Sequence, residues 1–351
     1  MKQSIAVFTA SDYLDPAARI RGFFIVDYLS KNGWSATCYP FEIHADFEFL
    51  GALKLVKDFM RKINIVRHPA IDIIYVQRGI SPSPKLTLLF LFISKYIFKR
   101  KIVYDIDDGL FLYSPFEIDT IIRISDLVVV GGHTLREYIS KINSRTFLMP
   151  TSVNLLRYPE ERNRKTTDKI VLGFVGSPTT IKYLKILEEP LIDLASKYDF
   201  SLRIIAARKE DDYKRFKTLL QKLKDHHVKL ELVCWDLTNE PYELSKIDVG
   251  LAPLFDGEWE HYKCGFKVIN YMAAAIPPVA SNVGEHRYLI HDGVNGFLCE
   301  NDQQWVKKLG KLIEDGTLRE KMGKNARRTV DEKYSFEKNA KTLAKILSEL
   351  L

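Results

Sequence analysis

Asp248–Leu298 reads DVGLAPLFDGEWEHYKCGFKVINYMAAAIPPVASNVGEHRYLIHDGVNGFL, and this stretch decides the fold. Val249 to Leu254 is an apolar run that carries Pro253 near its end, the pattern of a buried strand. Lys263 to Gly265 open a helix that continues through Phe266, Ile269, Met272 and Ala273, and Pro277 and Pro278 forbid its extension. Val279 to Ser281 form a second short strand, and Gly284 turns the chain into another helix. A helix that starts directly after a buried strand offers free backbone N–H groups and the positive end of its dipole, which suits a diphosphate.

Outward from this stretch, apolar strands and amphipathic helices alternate, the pattern of parallel α/β sheets. Strands are expected at Ile5–Thr9, Ser35–Tyr39, Ile73–Gln77, Lys101–Tyr104 and Leu127–Val130. A helix from Ala18 to Lys31 ends at Asn32-Gly33. Arg157 to Lys169 is polar and without apolar periodicity, so the interdomain linker is expected there. A second series follows, at Ile170–Val175, Leu202–Ala206 and Leu230–Cys234. Beyond Asp302 the chain is helical, with Trp305, Leu309 and Ile313 on one face and Phe336, Ala340, Leu343 and Ile346 on another. At 351 residues, two domains with separate cores are the expectation.

The order of residues in 248–298 resembles the second half of GT-B glycosyltransferases, specifically the group 1, family-4-like retaining enzymes. The residues that carry it are Gly265-Phe266-Lys267, Tyr271-Met272-Ala273, Ile276-Pro277-Pro278-Val279-Ala280-Ser281, Val283-Gly284 and Asp292-Gly293-Val294-Asn295-Gly296. The resemblance implies two Rossmann-like domains with parallel sheets facing a central cleft. Residues 1–160 would bind the acceptor, 168–335 the nucleotide sugar, and the helix of 336–351 would return to the first domain. It also implies transfer of a hexosyl or related sugar to a glycan, a lipid-linked or another hydroxyl acceptor, with retention of configuration.

In the second domain, Lys263 and Lys267 flank the helix start and are candidates for stabilising the leaving diphosphate, completed by the backbone N–H groups of Cys264, Gly265 and Phe266. The alternative is that both lysines are merely solvated. Gly176, Ser177, Thr179 and Thr180 follow the first strand of this domain and either contact the donor or cap the next helix. Trp235 either stacks on the nucleobase or packs on the sheet. The family commonly has two glutamates eight positions apart; Asn270 and Tyr262 occupy those positions here, with Glu258 and Glu260 nearby. Asn270 and Glu258 are the sugar-binding candidates. Ala275 stands where a glycine usually ends the helix.

In the first domain, KIVYDIDDGLFL resembles a branch of the family with Asp-x-Asp-Asp at a strand end. Asp107 and Asp108 would then orient or partly deprotonate the acceptor, unless they cap a helix or pair with basic neighbours. Their spacing also invites a metal, but the family implies none, and no cofactor is expected. Arg19 and Arg21, near the start of the first helix, either grip phosphate or an acidic acceptor or form ion pairs.

The formal charge of +7 is unevenly spread: residues 54 to 101 hold eleven Lys or Arg against two Asp, a local net of +9. Within them, KLTLLFLFISKYIFKRK at 85–101 has an apolar middle and basic ends, a pattern either for peripheral contact with an anionic membrane or for a core helix with a solvated end. No nucleic-acid-binding module accompanies the charge. No apolar segment is long enough for a bilayer and no signal peptide is evident. Cys38, Cys234, Cys264 and Cys299 lack metal-type spacing. A cytoplasmic protein is expected, with the inner face of the cytoplasmic membrane as its possible working surface. The rival reading is a catalytically silent GT-B-like protein that binds a glycan or a nucleotide.

Overall fold

The computed structural model describes residues 2–41, 49–158 and 169–351. The polar stretch taken for a linker lies outside the described residues over 159–168. Two compact units emerge: Met1–Ser152 with Tyr262–Cys264 and Glu337–Leu351, and Val153–His261 with Gly265–Phe336.

The first unit begins β1 (Ser4–Thr9), α1 (Pro16–Ala18), α2 (Phe24–Lys31), β2 (Ser35–Pro40), α3 (Phe49–Arg67), β3 (Ile73–Gln77) and α4 (Pro84–Phe92). It continues with β4 (Lys101–Ile106), α5 (Pro115–Ile124), β5 (Leu127–Val130), α6 (His133–Ile139) and β6 (Thr146–Leu148). The six strands are parallel, in the order β2-β1-β3-β4-β5-β6. Strands β1, β3 and β5 are buried throughout, as both faces of a parallel sheet are covered. Edge strand β2 alternates between exposed and half-buried over its first four residues. The expected single helix from Ala18 to Lys31 starts earlier. Asp15 caps it, its carboxylate accepting from the Ala18 N–H at 3.0 Å, and Pro16 fits the first turn. A π-helical turn, Arg19–Phe23, joins α1 to α2.

The second unit holds β7 (Ile170–Val175), α7 (Glu188–Ala195), β8 (Phe200–Ala207), α8 (Lys217–Asp225), β9 (Lys229–Cys234), α9 (Glu240–Ser245) and β10 (Val249–Ala252). Then come α10 (Glu258–His261), α11 (Phe266–Ala273), β11 (Pro278–Ser281), α12 (His286–Leu289), β12 (Phe297–Cys299), α13 (Asp302–Glu314) and α14 (Gly316–Lys333). Helix α15 (Phe336–Glu349) follows, and from Glu337 onward it belongs to the first unit. The second sheet is also parallel, in the order β12-β11-β10-β7-β8-β9.

In each sheet the direction of strand addition reverses once, between β1 and β3 in the first and between β7 and β10 in the second. Loops beyond the strand ends at such a reversal form the usual ligand position in open α/β sheets. Tyr271 anchors α11 over the second reversal. Its ring lies against Gly250, where an added Cβ would come within 2.3 Å of the ring. Its hydroxyl accepts from the Val175 N–H at 2.8 Å and stands 2.9 Å from the Gly173 carbonyl and 3.1 Å from that of Leu251.

Candidate active site

In the first unit, a charged cluster forms where β3 and β4 end. Gln77 pairs with Asp105 in the ladder, so the residues just beyond, Arg78 and Asp107-Asp108, emerge side by side. The Arg78 guanidinium forks between them: Nε donates to Asp107 Oδ1 and Nη2 to Asp108 Oδ2, each at 2.5 Å. Arg78 adopts φ +61°, a left-handed conformation that strains a non-glycine residue. Burial alone would lower its pKa, but the two carboxylates hold it well above its ordinary value. Gly131, after β5, clears the space for Asp107: a Cβ there would stand 2.8 Å from Asp107 Cα.

Asp108 carries a perturbed carboxyl. Burial pushes its carboxyl up to about 6, with Asp107 and Asp15 acting in the same direction and Arg78 and Lys263 opposing. Lys263 lies in the Tyr262–Cys264 segment that joins the first unit. Tyr262 packs edge-on against Phe111, with ring centroids 4.8 Å apart. A carboxyl that titrates near neutrality beside fixed cations suits it to accept a proton from a hydroxyl.

The two arginines expected at the crevice are both engaged. Arg21 is fully buried, where Nε donates to Asp105 at 2.6 Å and Nη1 to the Met149 carbonyl at 2.8 Å. The Tyr75 hydroxyl donates to the other oxygen of Asp105. Burial raises the Asp105 pKa against the pull of Arg21. Arg21 therefore braces the sheet from inside, as the ion-pair alternative has it. Arg19 is 2% exposed, and its Nη1 donates to the Tyr13 and Leu14 carbonyls at 3.1 and 3.3 Å, closing the first loop.

In the second unit, α11 starts at Phe266, just after the Lys263–Gly265 segment expected to open it. Gly265 sits at its N-cap in the left-handed region (φ +66°, ψ +21°), and an added Cβ would fall 2.4 Å from Leu289 Cδ1. Only glycine fits there. Phe266 and Lys267 form the first turn of the helix, and Cys264, just before it, is half-buried. The Lys267 ammonium lies 3.5 Å from the centroid of Phe174, a residue of β7, so the cation stands at the strand reversal. Its charge reaches His286, whose pKa falls to about 4, mainly through burial. His286 is accordingly neutral, with Nδ1 3.0 Å from the Ser281 carbonyl.

The loop after β7 closes on itself. Thr180 Oγ1 accepts from the Ser177 N–H at 2.9 Å, and the Ser177 and Thr179 hydroxyls pair at 2.9 Å. An added Cβ on Gly176 would meet Thr180 Oγ1 at 2.3 Å. Trp235 is half-buried on an apolar cluster, and its indole N–H donates to Glu240 at 3.1 Å, so the packed alternative describes its side chain.

Asn270 lies inside the second unit. It is 3% exposed, and its Oδ1 accepts from the Tyr158 hydroxyl at 2.7 Å. Of the two nearby glutamates, Glu258 is exposed, whereas Glu260 is buried and accepts from the Tyr183 hydroxyl at 2.6 Å. Arg78, Gly131 and Tyr158 escaped the sequence reading, because their partners lie far along the chain.

The two parallel six-stranded sheets define the GT-B class of fold. Solved chains with the same fold include a glycosyltransferase from Rickettsia africae ESF-5, with TM-score 0.75 and 16% identity over 99% of this chain and 98% of that one. Another is Anabaena Alr3699/HepE, solved in complex with UDP and glucose, with TM-score 0.73 and 15% identity over 99% of this chain and 100% of that one. Residues 159–329 match the family model described as "Glycosyl transferases group 1", and this segment is similar to that family. Spore coat protein SA of Bacillus subtilis (strain 168) is 24% identical over 256 residues, 64% of each chain. The alpha-1,3/1,6-mannosyltransferase ALG2 of Dictyostelium discoideum is 23% identical over 60% of this chain and 47% of its own. The chain thus spans less than two thirds of these curated relatives.

Proposed function

We propose that this protein is a glycosyltransferase that moves a sugar from a nucleotide-sugar donor to a hydroxyl of a glycan or lipid-linked acceptor, with retention of anomeric configuration and without a metal. The observation that carries the reading is the α11 start: a left-handed Gly265 at the helix N-terminus and the Lys267 cation at the strand reversal of a group 1 segment. This combination supplies positive charge where a departing diphosphate develops negative charge. Asp108, held by Arg78, is the group we assign to the acceptor proton. Retention and independence from metal rest on family resemblance.

The experiment is a thermal-shift screen against UDP, GDP, ADP, CMP and dTDP and their sugar derivatives, followed by a transfer assay with the donor that binds. A ligand at 100 times its dissociation constant stabilises the native state by about 2.7 kcal/mol. One nucleotide diphosphate standing out, and its sugar being turned over, supports the transferase. Binding without hydrolysis or transfer supports the second reading, a silent nucleotide- or glycan-binding protein. That reading is favoured by Asn270, an interior amide where the family commonly has a glutamate.

A further inference from the structure

Two helical stripes of the second unit face each other across a cavity of about 430 Å³. The first begins in a 3-10 helix, Ile181–Leu187, that runs into α7. Three residues per turn bring Lys182 and Lys185 onto one edge, and Glu188, the first residue of α7, extends that stripe. The second stripe starts at Arg215, in a 3-10 helix at Glu210–Phe216, and continues through Leu219 and Lys222 of α8. All six residues line the cavity. Lys222 joins the stripes, donating to Glu188 of the first and to the neighbouring Glu189 at 2.8 Å. The aromatic part of the wall is Phe216, half-buried against the core, and Phe255, three residues beyond β10. Phe255 is 39% exposed, and its ring lies 5.2 Å from that of Tyr183, whose hydroxyl donates to Glu260.

The wall carries positive charge that the chain leaves unanswered. Lys182, Lys185, Arg215 and Lys222 stand against one carboxylate, Glu188, and that carboxylate is occupied by Lys222. Lys182, Lys185 and Arg215 are exposed, and among the described residues none of them has a carboxylate partner. Like charges that share a cavity repel, so an anion placed between them is favoured. A carboxylate would bring one charge to three cations. A phosphate monoester brings about −1.5 to −2 at neutral pH and three strong acceptor oxygens. The Arg215 guanidinium can hold two of those oxygens at once. Phe216 and Phe255 offer their rings to an aromatic body carried on the ester. A cavity of this size suits a small molecule. None of the residues assigned above to the donor lines it.

We propose that this cavity is a second ligand site, which takes a small aromatic phosphate monoester with its phosphate on Lys185 and Arg215 and its ring on Phe216 and Phe255. The site is independent of the transferase reading. The test is calorimetry of the full chain with naphthyl phosphate, inorganic phosphate and naphthoate. Naphthyl phosphate should bind once per chain, about tenfold more tightly than either ion that lacks one of its halves. Lys185→Gln/Arg215→Gln removes two exposed cations, so it should melt like the parent and bind naphthyl phosphate about tenfold more weakly. Lys267→Met should bind it like the parent, and UDP should not displace it. No binding by the parent overturns the proposal, as does undiminished binding by the double variant. Equal affinity for inorganic phosphate overturns it too, since the two phenylalanines would then contribute nothing. Displacement by UDP, or loss of binding in Lys267→Met, also overturns it, by placing the anion at the start of α11.

Discussion

The Tyr271 hydroxyl accepts a hydrogen bond from the Val175 N–H at 2.8 Å, fastening the helix that carries Lys267 to the end of the strand that carries Phe174. Tyr271→Phe keeps the ring against Gly250 but leaves the Val175 N–H buried without its partner. The expected cost is about 1–3 kcal/mol in urea unfolding. A change below about half a kcal/mol would show that water takes over the bond.

Asp108 should make stability fall as pH rises. Its carboxyl holds a proton up to about 6 in the folded chain, against 3.8 ordinarily. Between those values the native state binds more protons than the unfolded state, so unfolding free energy declines across the window. Asp108→Asn should flatten that part of the pH–stability curve by about 1–3 kcal/mol relative to the parent. Arg78→Gln removes the cation that opposes the shift and should move the Asp108 titration upward. In a transfer assay the same variant should move the acid limb of the pH–rate profile upward. An unmoved limb with a lowered plateau would mean that Arg78 serves only packing.

Lys267 is half-buried, with its ammonium over the ring of Phe174 at the strand reversal. Lys267→Met keeps an unbranched side chain over the ring and removes the charge. Binding of the nucleotide diphosphate found by screening should weaken by about ten- to a hundredfold. Undiminished binding by calorimetry would remove Lys267 from the donor site.

Ala275 has φ +54°, a conformation that glycine adopts at no steric cost. Ala275→Gly should stabilise the fold by up to about 1 kcal/mol, the relieved strain outweighing the entropy of the added glycine. The opposite holds at Gly323 of α14, where a Cβ would stand 2.2 Å from the Ala275 carbonyl oxygen. Gly323→Ala should destabilise by about 1–3 kcal/mol. Thermal denaturation of the pair of variants gives both signs in one experiment.

The long apolar strands were legible in the chain: Ile73–Gln77 and Ile170–Val175 have the bounds that the sequence predicts. The helix start was legible too, because glycine at 265 and the prolines at 277 and 278 restrict the backbone locally. Strands β6 and β12 were not, since three residues carry no periodicity. Arg78 was invisible for another reason: it lies 29 residues from Asp107, and only the pairing of β3 with β4 brings them together. Asn270 illustrates the limit of reading by position. Its place in the motif matched a ligand residue, but the side chain that meets it, Tyr158, lies 112 residues away.

The last helix closes the unit that the chain begins. Asn339 donates to Ser152 at 2.7 Å, and the Ser348 hydroxyl reaches Gln3, 345 residues away, at 3.0 Å. Ala340, Leu343 and Leu347 are buried. During synthesis, therefore, the order of completion inverts the order of emergence. The second unit has all its strands and helices before the first receives its closing helix. Cleavage just after Ser335 would thus damage the early-made half and spare the late-made one.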